Sequence, residues 1–328
     1  MTLDDRLDLL LEAAPLWERF TGPYTHELLE DTFHQQATTP TARLPKTLVH
    51  IVSGNTPHAA CQTLLNGILL GAKNRLKLPS HALLDFEIPP SLTSFVETSR
   101  SLPDHWIPEA DALVVFGSDE TIRHFQQRCP LETPFIGHGH RVGIALIDDP
   151  SPEAARLAAR DIGLFNQQGC LSLQTLFLKD PRAFGPLLAD AMADFEKEHP
   201  RGPLSPSEAG AITNLRRETQ YLIAQDPKSH TLWQSPDSTA WTIIHHQDPH
   251  LTLSPGHRTV FLRPLLSDFK SQISNLRFLS GIALHPFRPD QDLPSPRLFP
   301  LGQAQTPPAL WPHDGVLPLA PLLKHQLR

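Results

Sequence analysis

Cys170 is the side chain whose surroundings point most directly to chemistry. It lies in Asn166-Gln167-Gln168-Gly169-Cys170-Leu171-Ser172, a polar, glycine-containing stretch between a helical pattern and an apolar run. Free cysteines more often fill cores than act as nucleophiles, and Cys61, inside Ala59-Ala60-Cys61-Gln62-Thr63-Leu64-Leu65, reads as core. The loop setting of Cys170 weighs the other way, because reactive thiolates sit in polar, partly exposed turns. A thiolate attacking a carbonyl needs donors for the oxyanion it creates. A main-chain N–H in the turn and one side-chain amide would serve. Asn55, directly after an apolar run, is the candidate amide; the plainer reading is a turn asparagine. Gly117-Ser118, between an apolar run and a helical pattern, can offer main-chain N–H groups to a phosphate, although such turns are common. Lys77, closing a short run, can contact a ribose or phosphate or simply be solvated.

Other chemistries lack their patterns. Eighteen histidines include only two close pairs, His138 with His140 and His245 with His246, and no H-E-x-x-H or C-x-x-C accompanies them. Scattered surface histidines are the simpler account, and no metal site is expected. Gly137-His138-Gly139-His140 lacks the spacing of a G-x-G-x-x-G dinucleotide fingerprint, and no G-x-S-x-G hydrolase elbow is present.

The elements that must hold these residues follow from periodicity. Residues 2–21 carry apolar residues at three- and four-residue steps and predict an amphipathic helix. Residues 22–46 read as a polar linker. Residues 47–52 predict a strand, 58–71 a buried helix ending at Gly71, and 74–80 a second strand. Residues 112–116 predict a strand that turns through Gly117-Ser118 into a helix. Residues 143–147 predict another strand, and Ser151-Pro152-Glu153 then caps a helix to about Phe165. A strand at 173–178 follows the cysteine turn. Helices at 186–197 and 205–224, and strands at 239–246 and 258–262, are weaker. From Pro286 onward ten prolines fall in 43 residues. So many missing donors predict an extended tail on the surface. Strands alternating with helices describe an α/β protein with parallel strands.

Composition bounds the function without choosing it. Thirty-five acidic against 28 basic residues leave a net charge of −7, which argues against a general nucleic-acid grip. No apolar run reaches the ~18 residues of a membrane span. The N-terminus lacks the basic and apolar regions of a secretory signal. Three cysteines make no disulfide framework, so a reducing, cytoplasmic setting is expected.

Four segments in order, HIVSGNTP (50–57), LLGAKNRLKLPS (69–80), ADALVVFGSDETI (110–122) and DIGLFNQQGCLSLQTLFL (161–178), resemble the aldehyde dehydrogenase superfamily. Within it they are similar to the LuxC-type acyl-CoA reductases, typified by the fatty-acid reductase of bacterial luminescence. The resemblance covers residues 48–180 well and 181–275 faintly. It implies an aldehyde-dehydrogenase-like α/β fold shortened at the N-terminus. Residues 1–136 would hold the N-terminal helix and a Rossmann-like, parallel-sheet NAD(P)-binding domain. Residues 137–275 would form the α/β catalytic domain, and residues 276–328 a proline-rich extension.

The resemblance also implies roles. Cys170 falls at the family's nucleophile and Asn55 at its oxyanion amide. Lys77 and Ser80 fall in the cofactor-binding segment, and Gly117 and Ser118 in the turn that faces the cofactor phosphates. The stretch Phe135 to His140 replaces the glutamate-containing segment of hydrolytic relatives and carries no carboxylate. That fits transfer to a thiol rather than to water, with His138 either a proton carrier or a structural residue. The activity implied is NADPH-dependent reduction of an acyl-CoA or acyl-carrier thioester to an aldehyde through an acyl-cysteine. NADH is a possible cofactor, and Lys77 with nearby Arg75 leans toward the phosphorylated one. The family allows a homodimer. The alternatives are an acyl-phosphate reductase of the same superfamily and a non-catalytic shortened relative acting as a binding subunit.

Overall fold

The computed structural model describes residues 1–38, 42–80, 86–274, 276 and 278–325. The chain forms two compact units, Met1–His140 joined by the segment from Thr306 onward, and Arg141–Gln305.

In the first unit, α1 (Leu3–Thr21) starts at a capping box in which the Thr2 hydroxyl accepts from the Asp5 N–H and the Asp5 carboxylate accepts from the Thr2 N–H. Its apolar stripe of Leu7, Leu10, Ala14 and Trp17 is buried. Then come α2 (His26–Ala37), β1 (Ala42–Arg43), β2 (Thr47–Ile51), α3 (His58–Leu69), β3 (Lys73–Lys77), β4 (Val96–Ser99), β5 (Ala112–Phe116), α4 (Asp119–Arg128) and β6 (Phe135–His138). Five strands pair in the order β4-β3-β2-β5-β6, all parallel. All five residues of β5 are buried, as expected of a strand covered on both faces. On one face Val49, Ile51, Leu113 and Val115 pack on Trp106, Ile107 and Phe125. Beneath α3, His50 is a satisfied core histidine: it bonds Asn74 and Thr63, and burial holds it down to about 4. The strand order reverses between β2 and β5, which opens a crevice outside their C-terminal ends.

The second unit contains β7 (Val142–Ile147), α5 (Pro152–Gly163), β8 (Leu173–Leu178), α6 (Pro181–Glu198), α7 (Pro206–Gln225), β9 (His230–Gln234), β10 (Thr242–His246), β11 (Thr259–Pro264), α8 (Phe269–Ile273), β12 (Leu279–His285) and β13 (Leu298–Pro300). Its seven-stranded sheet runs β13-β12-β7-β8-β11-β10-β9, with only β9 antiparallel. Ala145 and Ile147 point into a core shared with α5 and α6, while Ile144 and Leu146 face Phe177, Phe269 and Ile273. A two-residue strand, β14 (Lys324–His325), returns to pair with β1 in the first unit.

Three expectations need correction. Within the expected linker 22–46, whose residues 39–41 lie outside the described residues, Thr25 caps α2 by accepting from Leu28 N–H. The i, i+4, i+8 set Leu29, Phe33 and Ala37 is buried; its polar flanks masked the period. The 276–328 extension is not a separate surface tail; its last three residues lie outside the described residues. Leu279–His285 forms β12, inserted between β7 and β13, and Leu319, Leu322 and Leu323 beyond it are buried. Proline removes a donor but does not prevent burial of its neighbours, so an irregular backbone can still fill a core. For the same reason the chain divides near 140 and 305 rather than at 136 and 275.

One buried cation secures the outer part of the second sheet. Arg216 of α7 donates to Thr242 Oγ1, Ser235 Oγ and the carbonyls of Ser238 and Trp241. Arg216→Ala strips the buried Trp241 carbonyl, the part-buried Ser238 carbonyl and two hydroxyls of a charged donor. It is expected to lower unfolding stability by about 2–4 kcal/mol in urea titration, and a change within ~0.5 kcal/mol would contradict this account.

Candidate active site

Cys170 is half-buried in the turn between α5 and β8. The turn begins with Phe165, Asn166 and Gln167 at φ of 51°, 53° and 61°, three consecutive non-glycine residues in the left-handed region. Such geometry persists only when its surroundings over-determine it. Here the buried Gln167 side chain does so. Its Nε2 donates to Leu173 O at 2.7 Å, and its Oε1 accepts from Thr259 N–H at 2.8 Å and from Ser254 Oγ at 3.4 Å. On the other flank the fully buried Ser172 accepts from Gln305 Nε2 at 2.9 Å, and its carbonyl accepts from Gly143 N–H. A Cβ on Gly143 would meet the carbonyl oxygens of Leu171 and Ser172 at 2.9 Å, so only glycine lets β7 approach the turn this closely. The other cysteines differ. Burial pushes the Cys61 thiol far up and the Cys129 thiol up, which disfavours both thiolates.

In the first unit the residues expected at the cofactor gather at one end of the sheet. Ile51 pairs with Lys77 in register, so Lys77 closes β3 beside the end of β2. Gly117 and Ser118 follow β5, and Asn55 is exposed on the loop after β2. These ends flank the point where strand order reverses, the usual ligand crevice of open α/β sheets. Ser80 is exposed just past β3, its carbonyl accepting from Arg100. Two details differ from the sequence reading. The Gly117 N–H donates to His138 O at 3.2 Å, and a Cβ at Gly117 would lie 2.9 Å from Thr121 Cγ2. Ser118 Oγ caps α4 by accepting from Thr121 N–H. Arg75 is buried and paired with Glu109 at 2.8 Å and Glu97 at 3.6 Å, so it offers no charge to a 2′-phosphate. Cys170 belongs to the second unit, whereas Asn55, Lys77, Ser80, Gly117 and Ser118 belong to the first.

A family profile described as acyl-CoA reductase (LuxC) matches residues 91–325. The chain belongs to the LuxC acyl-CoA reductase family. Its curated relatives include the long-chain acyl-protein thioester reductase of Photobacterium phosphoreum, 23% identical over 84% of this chain and 61% of that one. The reductase of the same name from Aliivibrio fischeri is 23% identical over 73% of this chain and 53% of that one. The chain thus spans 53–61% of the length of these two relatives. Among solved structures, aldehyde dehydrogenase 21 of Physcomitrella patens, in complex with succinate, superposes with a TM-score of 0.63 at 14% identity, covering 98% of this chain and 85% of that one. A variant of the 1-pyrroline-5-carboxylate dehydrogenase of Thermus thermophilus gives 0.62 at 12% identity, over 98% and 80%. The fold of this LuxC-family chain is therefore that of the aldehyde dehydrogenases.

Sequence reasoning missed the supports of the cysteine turn. Gln167 was visible only as a polar neighbour, and Asp161 as one acidic residue in a helix. Asp161 is buried and accepts from the N–H groups of Gly302 and Ala304, which fixes the segment that carries Gln305 to Ser172. Burial pushes its carboxyl up to about 7, against the pull of those two bonds and of the Arg160 and Arg297 charges. The folded chain therefore holds this proton more tightly than the unfolded one. The stability this gives is complete below about pH 4 and is lost as pH rises toward 7. In urea titrations between pH 4.5 and 7.5, Asp161→Asn is expected to show a shallower decline than the wild type. Equal slopes would exclude Asp161 as the titrating group.

Proposed function

We propose that this protein reduces an acyl thioester to an aldehyde through a covalent acyl-Cys170 intermediate. The observation that carries the reading is Cys170 itself: a half-buried thiol in a turn held from both sides, in a chain of the LuxC acyl-CoA reductase family. The relatives' description as long-chain acyl-protein thioester reductases supports an acyl-CoA or acyl-carrier thioester donor.

The Cys170 thiolate attacks the thioester carbonyl, and the carrier thiol leaves with the electron pair of the broken C–S bond and takes up a proton. The N–H of Cys170 and the Asn55 amide are assigned as oxyanion donors, each worth about 10²–10³ in rate. A nicotinamide cofactor, when bound, supplies the hydride that reduces the acyl group. The resulting thiohemiacetal on Cys170 collapses with cleavage of its C–S bond, releasing the aldehyde and restoring the thiolate. The reversal of strand order between β2 and β5, with Lys77 at the edge of the crevice it opens, supports a dinucleotide at this end of the sheet. Lys77 and Ser80 are assigned to the ribose end and the Gly117-Ser118 turn to the phosphates. NADPH is the assigned donor, with NADH as the comparison.

The test is a screen of acyl-CoA, acyl-carrier and acyl-phosphate donors across chain lengths, following NADPH and NADH absorbance and the intact mass of the protein. Thioester-dependent oxidation of cofactor with an acyl mass increment is expected. Absence of both with every donor would refute the proposal, and turnover with acyl phosphates alone would move it to that substrate class.

A further inference from the structure

Outside the cysteine turn, one cluster in the first unit has the chemistry of a metal site. His138, at the end of β6, meets His313 and Asp314 from the proline-rich segment that returns to this unit. One nitrogen or oxygen from each of the three lies within 4.8 Å of the others. His138 Nδ1 is 3.1 Å from Asp314 Oδ2, and His313 Nε2 is 3.8 Å from the same oxygen. The three side chains are only 8%, 13% and 4% exposed, unlike surface histidines that meet acids by chance.

The local backbone preorganises the pair that comes from the far end of the chain. His313-Asp314-Gly315-Val316 is a tight turn with φ of 55° at Asp314 and 81° at Gly315, closed by Val316 N–H donating to His313 O at 2.9 Å. Asp-Gly is a favoured pair for a turn that needs two positive φ angles. Gln62 of α3 supports His313 from behind: its Oε1 is 3.4 Å from His313 Nδ1. A proton on Nδ1 directed at Gln62 would place the Nε2 lone pair on the side of Asp314, 3.8 Å from its Oδ2. Ligand histidines are commonly oriented by such a bond on the second nitrogen. Phe116 stacks on His138 with ring centres 4.5 Å apart, and Trp311 lies 4.9 Å from His313, so the donors sit in an apolar wall. A pocket opens beside them, lined by Val114, Ile136, Leu65 and Trp311.

We infer that His138, His313 and Asp314 bind a divalent transition metal of the zinc class, with its remaining coordination position open to the pocket. Two imidazoles and a carboxylate suit zinc, cobalt or nickel rather than magnesium or calcium, which prefer oxygen ligands alone. Tetrahedral zinc with bonds of about 2.0–2.1 Å places its ligand atoms about 3.3 Å apart, between the two separations measured here. Three protein ligands and one open position is the pattern of sites that hold water or an exchangeable ligand. The competing account is a metal-free ion pair between a protonated His138 and Asp314.

The full chain, stripped with chelator and dialysed, is titrated with Zn²⁺ by calorimetry and with Co²⁺ by visible absorption. One ion per chain is expected, with the intense absorption of tetrahedral cobalt. His313→Gln and Asp314→Asn are expected to weaken binding about 100-fold or more. Asn tolerates the left-handed turn, so the second variant keeps the backbone. Cys170→Ala must bind as the wild type does, which separates this site from the thiol and from the proposed reductase activity. No saturable binding to the wild type, or affinity unchanged in both folded variants, would overturn the inference in favour of the ion pair.

Discussion

Cys170→Ala is expected to remove acyl-adduct formation altogether and to lower aldehyde production by about 10³-fold or more. The effect should be this large because no other thiol can substitute. Burial pushes both Cys61 and Cys129 away from the thiolate. Cofactor affinity, measured by NADPH fluorescence, should not change, since the residues assigned to the dinucleotide lie in the first unit. The decisive readout is the intact mass after incubation with a long-chain acyl-CoA. An acyl increment that persists in the variant would place the nucleophile elsewhere. Loss of the adduct with unchanged aldehyde production would mean that the acyl-cysteine is not on the path.

Gln167→Ala should be nearly as damaging, although Gln167 is a positioning residue. Its amide ties Leu173 O, Thr259 N–H and Ser254 Oγ to one point and closes a turn of three left-handed residues. Truncation takes the Gln167 donor from the buried Leu173 carbonyl, at a cost of about 1–3 kcal/mol, and leaves the Thr259 N–H only its second bond, to Gly256 O at 3.1 Å. The turn, with its three left-handed residues, is expected to relax first. Adduct formation should fall about 10–100-fold, with a loss of stability of about 1–3 kcal/mol. Gln167→Glu keeps an acceptor for Thr259 but loses the donor to Leu173, so it should fall between the two. A purely structural role would lower the unfolding midpoint and leave the rate of adduct formation per folded molecule unchanged. Stopped-time mass analysis at low temperature distinguishes the two.

Much of this architecture was legible one segment at a time. β5 and β8 fall where their apolar runs begin and end, because a strand covered on both faces must be apolar at every position. Ser151 caps α5 because its side chain and the following proline act within one turn. Local signals failed where burial was decided from afar. α2 reads as polar because only one narrow stripe faces inward, and β12 reads as the edge of a tail because its partners, β7 and β13, cannot be inferred from its own residues. Arg75 stood beside Lys77 as a second cation in the sequence, but Glu97 and Glu109 already claim it.

The candidate site divides in the same way. The amino-acid sequence alone determined β2, β5, β7 and β8, the helices α1, α3 and α5 and the four family segments, and it favoured Cys170 over Cys61 as the candidate, because each reading depends on residues within a few positions of one another. Tertiary structure alone decided what holds the turn, since Gln167 reaches Thr259 and Ser172 is reached by Gln305. It alone brought His138 to Asp314, 176 positions away, placing a histidine with no metal-binding spacing beside His313 and Asp314. Spacing rules read ligands carried on one helix or one turn. They are silent when one ligand closes a strand and the other two arrive on a proline-rich return, where chain packing, not sequence interval, sets the distance.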